Sequence, residues 1–316
     1  MTPKAVNLQR QSAKPAEWIK YHERGSLGLL KIMAFLSLRF GRRASRIVLY
    51  AIAAYFFSFA PSVRRHSRRY LRLALNRAPS AADRFRQILS FASTIHDRVY
   101  LVNGQYDEFD ITLEGEALVS GQAASGRGAL LLGAHIGSFE VVHSLGRRHP
   151  GLHVAMAMYE ENARKIGGIL AAISPDLAHD IVSLGHIDAM LIIAQRLEEG
   201  AFVGVLADRT LGEEAVQAVT LLGRRAYLPT GPMRAAALLR CPVFFMAGLY
   251  RGKNKYHVVF ERVADFSQSS VGSRVLAVRA AIERYAALLD RCCRSDPYNW
   301  FNFFDFWRAP LGIRSE

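Results

Sequence analysis

A chain of 316 residues, 51% of them hydrophobic, is long enough for one large α/β domain with an appended helical segment, and its composition excludes broad disorder. The formal charge of +14 is unevenly spread: residues 1–82 carry 16 Lys and Arg against only Glu17 and Glu23, whereas the remainder balances 25 basic with 25 acidic residues. A charge-neutral body argues against a nucleic-acid binder, which needs basic residues interleaved with aromatics along the domain itself.

Taken in chain order, residues 1–15 read as a mobile polar lead and residues 16–102 as a basic, apolar, helical region that associates with membrane. Residues 103–316 read as the α/β domain. The helical pattern breaks near Gly41 and Pro61, and Pro79-Ser80-Ala81-Ala82-Asp83 resembles a helix start. Residues 47–63 contain no charge and hold Tyr50, Tyr55, Phe56, Phe57 and Phe59; Arg39, Arg42, Arg43 and Arg46 precede them, and Arg64, Arg65, Arg68, Arg69 and Arg72 follow. Apolar faces bordered by arginines suit an anionic membrane surface, here through residues 16–77. Seventeen residues sit at the lower limit for crossing ~30 Å of hydrocarbon, and arginines on both flanks conflict with the positive-inside rule. Helices lying in or dipping into the leaflet are therefore expected; a buried core helix with solvated basic flanks is the plainer alternative. No cleavable signal peptide is evident in residues 1–26. Cys241, Cys292 and Cys293 offer neither a disulfide framework nor a metal pattern, which points to a reducing compartment.

Beyond Asn103, strand-like runs at residues 111–113, 129–134, 152–157, 202–207, 216–222, 243–249 and 256–260 alternate with helical patterns. Helices are predicted over 141–148, 160–173, 187–199 and 232–239. Such alternation predicts an α/β fold, a largely parallel sheet flanked by helices, with the site beyond the carboxyl ends of the strands.

The first candidate there is His135 with Glu140, placed after the apolar run 129–134 and across the turn Ile136-Gly137-Ser138. An imidazole with an anion to fix its tautomer is what removal of a proton from a hydroxyl requires. The same residue types also arise as a helix-capping histidine and a solvated first-turn glutamate. A second buried strand delivers Asp208-Arg209-Thr210 to the same expected edge, where an acid beside an arginine orients a substrate or the base, or forms a simple loop ion pair. Arg164, early in a helix, suits an anionic headgroup, though lone arginines are commonly solvated. The start of a helix at Thr230-Gly231 offers backbone amides and a hydroxyl to an anion or oxyanion, or ordinary capping. The aromatic tail 297–307 reads as lining an acyl groove, meeting a bilayer interface, or packing on the domain. His143, His149 and His153 do not form a metal set, and no serine-hydrolase elbow, P-loop or dinucleotide fingerprint is present.

Together these blocks resemble the late acyltransferases of lipid A biosynthesis (the lauroyl and myristoyl transferases), a branch of the lysophospholipid acyltransferase superfamily. The most specific part is Gly126-Arg127-Gly128 through His135 to Glu140; Glu114-Gly115, Leu197-Glu198-Glu199-Gly200, Asp208, Leu222-Gly223, Pro229-Thr230-Gly231 and residues 297–300 also fit. The resemblance implies a glycerolipid-acyltransferase-like fold, His135 as general base and Glu140 as its charge-relay partner. It also implies Arg164 and Asp208 supporting the substrate or base, and a bacterial inner-membrane location on the cytoplasmic face. The donor would be a fatty acyl thioester on acyl carrier protein and the acceptor a lipid or glycolipid hydroxyl. Transfer would be direct, with no metal and no cofactor beyond the thioester co-substrate. Two places depart from the family pattern: Asp208-Arg209 stands where an Asp-Gln pair is usual, and Phe301-Asn302-Phe303 replaces a His-Arg-Arg run after the tryptophan. An acyltransferase of a specialised-lipid or aryl polyene pathway is the alternative within this class. A catalytically inactive lipid-binding scaffold is the alternative outside it.

Overall fold

The structure, a computed structural model, describes residues 27–148, 153–159, 181–184, 188–210, 215–268 and 271–309. The polar lead, the helix read at 160–173 and Arg164 lie outside the described residues. Helix α1 (Leu27–Phe59) is interrupted at Gly41, whose φ of 78° and ψ of 163° no helix tolerates, and α2 (Pro61–Ala74) leaves at a 94° bend with Pro61 at its first position. Helix α3 (Ala81–Val102) begins with a reciprocal capping box: the Asp83 amide donates to Ser80 Oγ at 3.0 Å, and the Ser80 amide donates to Asp83 Oδ2 at 2.8 Å.

The body follows as β1 (Asp110–Glu114), α4 (Glu116–Ala124), β2 (Ala129–Gly133), α5 (Phe139–Arg148), β3 (Val154–Tyr159), β4 (Ile181–Leu184), α6 (Ala189–Glu198) and β5 (Phe202–Leu206). A hairpin comes next, β6 (Val216–Leu221) and β7 (Arg224–Pro229), then α7 (Gly231–Leu239), β8 (Pro242–Tyr250), β9 (Lys255–Asp265) and α8 (Arg274–Ser295). Seven strands form one sheet in the order β1-β9-β8-β2-β5-β3-β4, with every pairing parallel except β8 with β9.

Every residue of β2 and of β8 is buried, as expected of strands covered on both faces. Leu130 and Leu132 face a core shared with Ile282, Tyr285 and Leu289 of α8. Ala129 and Leu131 face the opposite core, built with Val141, Val142 and Leu145 of α5. The run at 216–222 is not part of this sheet. Leu222 and Gly223, at φ 52° and 73°, make a two-residue turn with positive φ at both positions, which suits a tight antiparallel hairpin, and β6 pairs with β7 alone.

The N-terminal helices are bolted to this body by a buried ion pair. Arg42, immediately after the break in α1, meets both oxygens of Asp97 on α3, Nε to Oδ1 at 2.8 Å and Nη2 to Oδ2 at 2.9 Å. Tyr256 of β9 donates its hydroxyl to the same carboxylate at 2.8 Å. Ser45, Leu49 and Ala53, four residues apart, form the buried stripe of α1, while Phe40, Ile47, Tyr50, Tyr55 and Phe59 are each more than half exposed. The run at 47–63 is thus not wholly buried; among the described residues no single helix is long and apolar enough to cross a membrane, whereas the bent pair formed by residues 39–59 and 61–74 passes that test by length and composition. Removing one partner of a buried, hydrogen-bonded pair strands the other charge, so Asp97→Ala is expected to lower unfolding free energy by about 3–5 kcal/mol. Urea denaturation followed by circular dichroism measures this, and a loss under 1 kcal/mol (roughly the worth of an exposed pair) would contradict the assignment.

Candidate functional site

Strand register brings the site together. Gly133 of β2 lies opposite Leu206 of β5, and the Ala207 amide donates to the Gly133 carbonyl at 3.0 Å. Two residues further along each strand are His135 and Asp208, at the same height on the carboxyl edge of the sheet. His135 Nδ1 is 2.7 Å from Asp208 Oδ1. A carboxylate only accepts, so Nδ1 carries the proton and donates, and in the neutral ring the basic lone pair is on Nε2.

Asp208 is fully enclosed, and its second oxygen is saturated with donors. Oδ2 accepts from the His135 backbone amide at 3.1 Å, from Trp300 Nε1 at 3.1 Å and from Asn302 Nδ2 at 2.8 Å. Burial alone would raise the pKa of this acid. The charge and hydrogen bond of His135, the nearby Arg209 guanidinium and the Asn302 amide outweigh burial and hold Asp208 well below the usual carboxylate range. The pair is therefore a buried anion behind an imidazole whose side chain remains 27% exposed.

The loop between β2 and α5 is held between two neighbours. The Ser138 amide donates to the Gly248 carbonyl of β8 at 2.8 Å, and the Gly137 amide donates to the Asn299 carbonyl at 2.8 Å. Gly137 has φ +66°, and a Cβ there would sit 2.0 Å from the Gly248 oxygen, so only glycine fits this passage. On the tail side, the Phe301 amide donates to the His135 carbonyl at 2.8 Å.

The expected pairing of His135 with Glu140 takes a different form. Because α5 begins at Phe139, Glu140 lies in its first turn. There its carboxylate accepts from Ser138 Oγ at 3.0 Å and forms an ion pair with Arg98 Nε of α3 at 2.6 Å. The carboxylate on the imidazole Nδ1 is that of Asp208. Arg209 reaches toward the tail, with Nε donating to Asn302 Oδ1 at 2.7 Å. Thr230 spends its hydroxyl and its amide on the Ala215 carbonyl, at 3.1 and 2.9 Å, and does not cap α7, whose first residue, Gly231, is exposed. Among the described residues no hydrogen bond joins Thr230 or Gly231 to the Asp208 cluster.

Arg98, Trp300 and Asn302 were not singled out by sequence reasoning as members of the site. Trp300 is buried between Tyr70 of α2 and Phe306, with ring centroids at 5.0 and 4.6 Å, and its carbonyl accepts from Gln87 of α3 at 2.6 Å. The aromatic tail thus packs on the domain against the Asp208–His135 pair, which is the plainest of the alternatives open from sequence. The three cysteines are buried, and burial pushes the Cys241 and Cys292 thiols up to about 12 and the Cys293 thiol well above its ordinary value, which makes them poor nucleophiles. Among the described residues no group of three His, Cys, Asp or Glu side chains could hold a metal ion.

Comparison with known proteins agrees in class with this geometry. A search of individually curated proteins finds no match. The family model described as bacterial lipid A biosynthesis acyltransferase matches residues 9–309, nearly the whole chain. With its sheet-edge histidine and buried acid inside that match, the chain belongs to the bacterial lipid A biosynthesis acyltransferase family and is an acyltransferase.

Proposed function

We propose that this enzyme moves a fatty acyl group from a thioester, carried on acyl carrier protein, to a hydroxyl of a membrane lipid or glycolipid, with His135 as general base. The observation that carries this reading is the buried, ionised Asp208 on His135 Nδ1. That anion fixes the tautomer with a basic Nε2 and stabilises the imidazolium once it forms. The acceptor oxygen attacks the thioester carbonyl as its proton passes to Nε2. The C–O bond forms, the C–S bond breaks, and the imidazolium returns the proton to the departing thiolate. Glu140, neutralised by Arg98, holds the turn that follows His135 to α3. Arg164 is proposed to bind an anionic group of a substrate, on the strength of the family resemblance alone.

The membrane side is the outward face of α1. Phe40, Ile47, Tyr50, Tyr55 and Phe59 form an exposed apolar stripe, and Arg65, Arg68 and Arg72 are exposed along α2 beyond the bend. An apolar face of this size with a cationic border fits seating in an anionic leaflet. Such seating keeps a lipid acceptor close to a site whose buried Trp300 packs against Tyr70 of the same helical region.

Three variants test this. His135→Ala should retain its fold and abolish transfer from a radiolabelled fatty acyl–acyl carrier protein to a lipid A precursor, whereas undiminished transfer would sink the mechanism. Asp208→Asn keeps the shape but removes the anion and permits the wrong tautomer, and should lower kcat by about 10³–10⁴-fold. The same variant carries a stability signature. Because the folded pKa of Asp208 is depressed, its contribution is complete above the unfolded value of about 4 and is lost as pH falls below it. The gap in urea midpoint between wild type and Asp208→Asn should therefore narrow between about pH 7 and about pH 3. Finally, the triple substitution Ile47→Glu, Tyr55→Glu and Phe59→Glu should leave the melting temperature nearly unchanged, since all three side chains are exposed, yet shift protein from the membrane pellet to the supernatant. Wild type should stay in the pellet at high salt.

A further inference from the structure

We propose that Arg209 is a positioning residue for acyl transfer that acts through Asn302 on the Asp208–His135 pair; this rests on the reading of His135 as the base. Arg209 directly follows Asp208 in sequence, and the simplest expectation is an ion pair between neighbours. The guanidinium instead crosses to the C-terminal tail. Its Nε donates to Asn302 Oδ1 at 2.7 Å, its terminal nitrogen lies 3.4 Å from the Phe301 carbonyl, and its plane sits 5.4 Å from the Phe304 ring centroid.

The consequence lies in the orientation of one amide. A guanidinium has donors only, so the Asn302 atom it meets must be the oxygen. That leaves the amide nitrogen directed at Asp208 Oδ2, 2.8 Å away. Both Asn302 and Asp208 are buried. Were the amide rotated by half a turn, two acceptors would face each other in a site that water does not reach, an arrangement costing more than a lost hydrogen bond. Arg209 would face the amide nitrogen in that rotated state, donor against donor, and so adds to this penalty and holds the orientation in which Asn302 donates to Asp208. Phe301, the residue between Trp300 and Asn302, binds the His135 carbonyl through its amide, so the same short segment touches both members of the pair. Residues 301–303 have no regular secondary structure to hold them, and the Arg209 contacts fix them against the end of β5.

A double-mutant cycle with Arg209→Gln and Asn302→Leu separates this role from general structural support. Hydrogen bonds to charged groups set the scale, so each single variant should lower kcat/KM by about 10–100-fold, mostly in kcat. If Arg209 acts through Asn302, adding Arg209→Gln to Asn302→Leu should cost no more than about threefold further. Arg209→Lys keeps a donor and a charge and should recover part of the loss. Asn302→Asp places a second carboxylate beside Asp208 and should move the His135 titration upward. That shift is readable without substrate by nuclear magnetic resonance of isotope-labelled histidine, and with substrate as the acid limb of the kcat/KM profile. Fully additive losses in the cycle, or an unmoved His135 titration in Asn302→Asp, would overturn the proposal. Retained transfer in His135→Ala would instead overturn the reading of the base itself. An inactive His135→Ala with additive losses at 209 and 302 overturns only the coupling.

Discussion

The burial of one carboxylate organises this molecule. Asp208 lies where water cannot solvate it, and an ionised acid in such a place persists only if its oxygens are filled with donors. Those donors come from separate parts of the chain: the imidazole and backbone amide of His135 after β2, and the indole and amide of Trp300 and Asn302 in the tail. The sheet supplies the register that sets His135 opposite Asp208, but the sheet alone would leave Oδ2 short of partners. The C-terminal segment completes the set, which is why irregular backbone of low intrinsic stability is held so tightly. Trp300 is pressed against α2, its carbonyl is bound by α3, and Asn299 spans to both the amide and the carbonyl of Tyr250 on β8.

The helical region before the body is part of the same construction. Helix α3 contributes Arg98 to Glu140, Gln87 to Trp300 and Asp97 to Arg42, so it is cross-linked to the site loop, the tail and α1 at once. Helix α1 has one stripe of small and aliphatic residues committed to that contact, and its aromatic stripe is left facing outward. A helix whose two faces are divided in this way cannot be read from mean hydropathy. The uncharged run at 47–63 is compatible with a buried helix, a spanning helix or an interfacial one. Arg42 and Ser45, polar residues just before the run, tie one face of the helix to α3 through Asp97 and His96.

Much of the fold was legible because its signals are local. The breaks at Gly41 and Pro61, the helix start at Ser80, and the apolar runs that became β2, β5 and β8 each follow from a few adjacent residues. The hairpin was less so: the residues of β6 look like any strand, and only the Leu222-Gly223 turn states that the partner is the next segment. At the site, His135 and Asp208 could be placed on one sheet edge, since both follow buried strands. Their bond could not be derived, because strand order is a long-range property and β5 might have lain anywhere in the sheet. The resemblance to the family marked Arg209 and residues 301–303 as two separate departures. That they are bonded to each other, through Arg209 and Asn302, exists only in three dimensions.

The two acids near His135 show how environment assigns roles that residue type leaves open. Glu140 is the carboxylate closer in sequence, and the spacing alone favours it as the partner of the imidazole. It sits at the start of a helix, where the helix dipole favours an anion, and Arg98 meets it from α3. Its negative charge is thereby balanced by a cation belonging to another layer of the protein, which suits it to fixing the turn. Asp208 is on the other strand end, beside Arg209, whose Nε donates to the Asn302 amide oxygen. Its charge is met by the charge and hydrogen bond of His135, by the Arg209 guanidinium and by the Asn302 amide, which together outweigh its burial. That leaves a buried negative charge directed at His135 Nδ1, the atom through which a base is strengthened. The Glu140–Arg98 and Asp208–His135 contacts are thus two separate pairs, one tying the turn after His135 to α3 and the other placing a buried carboxylate on the imidazole.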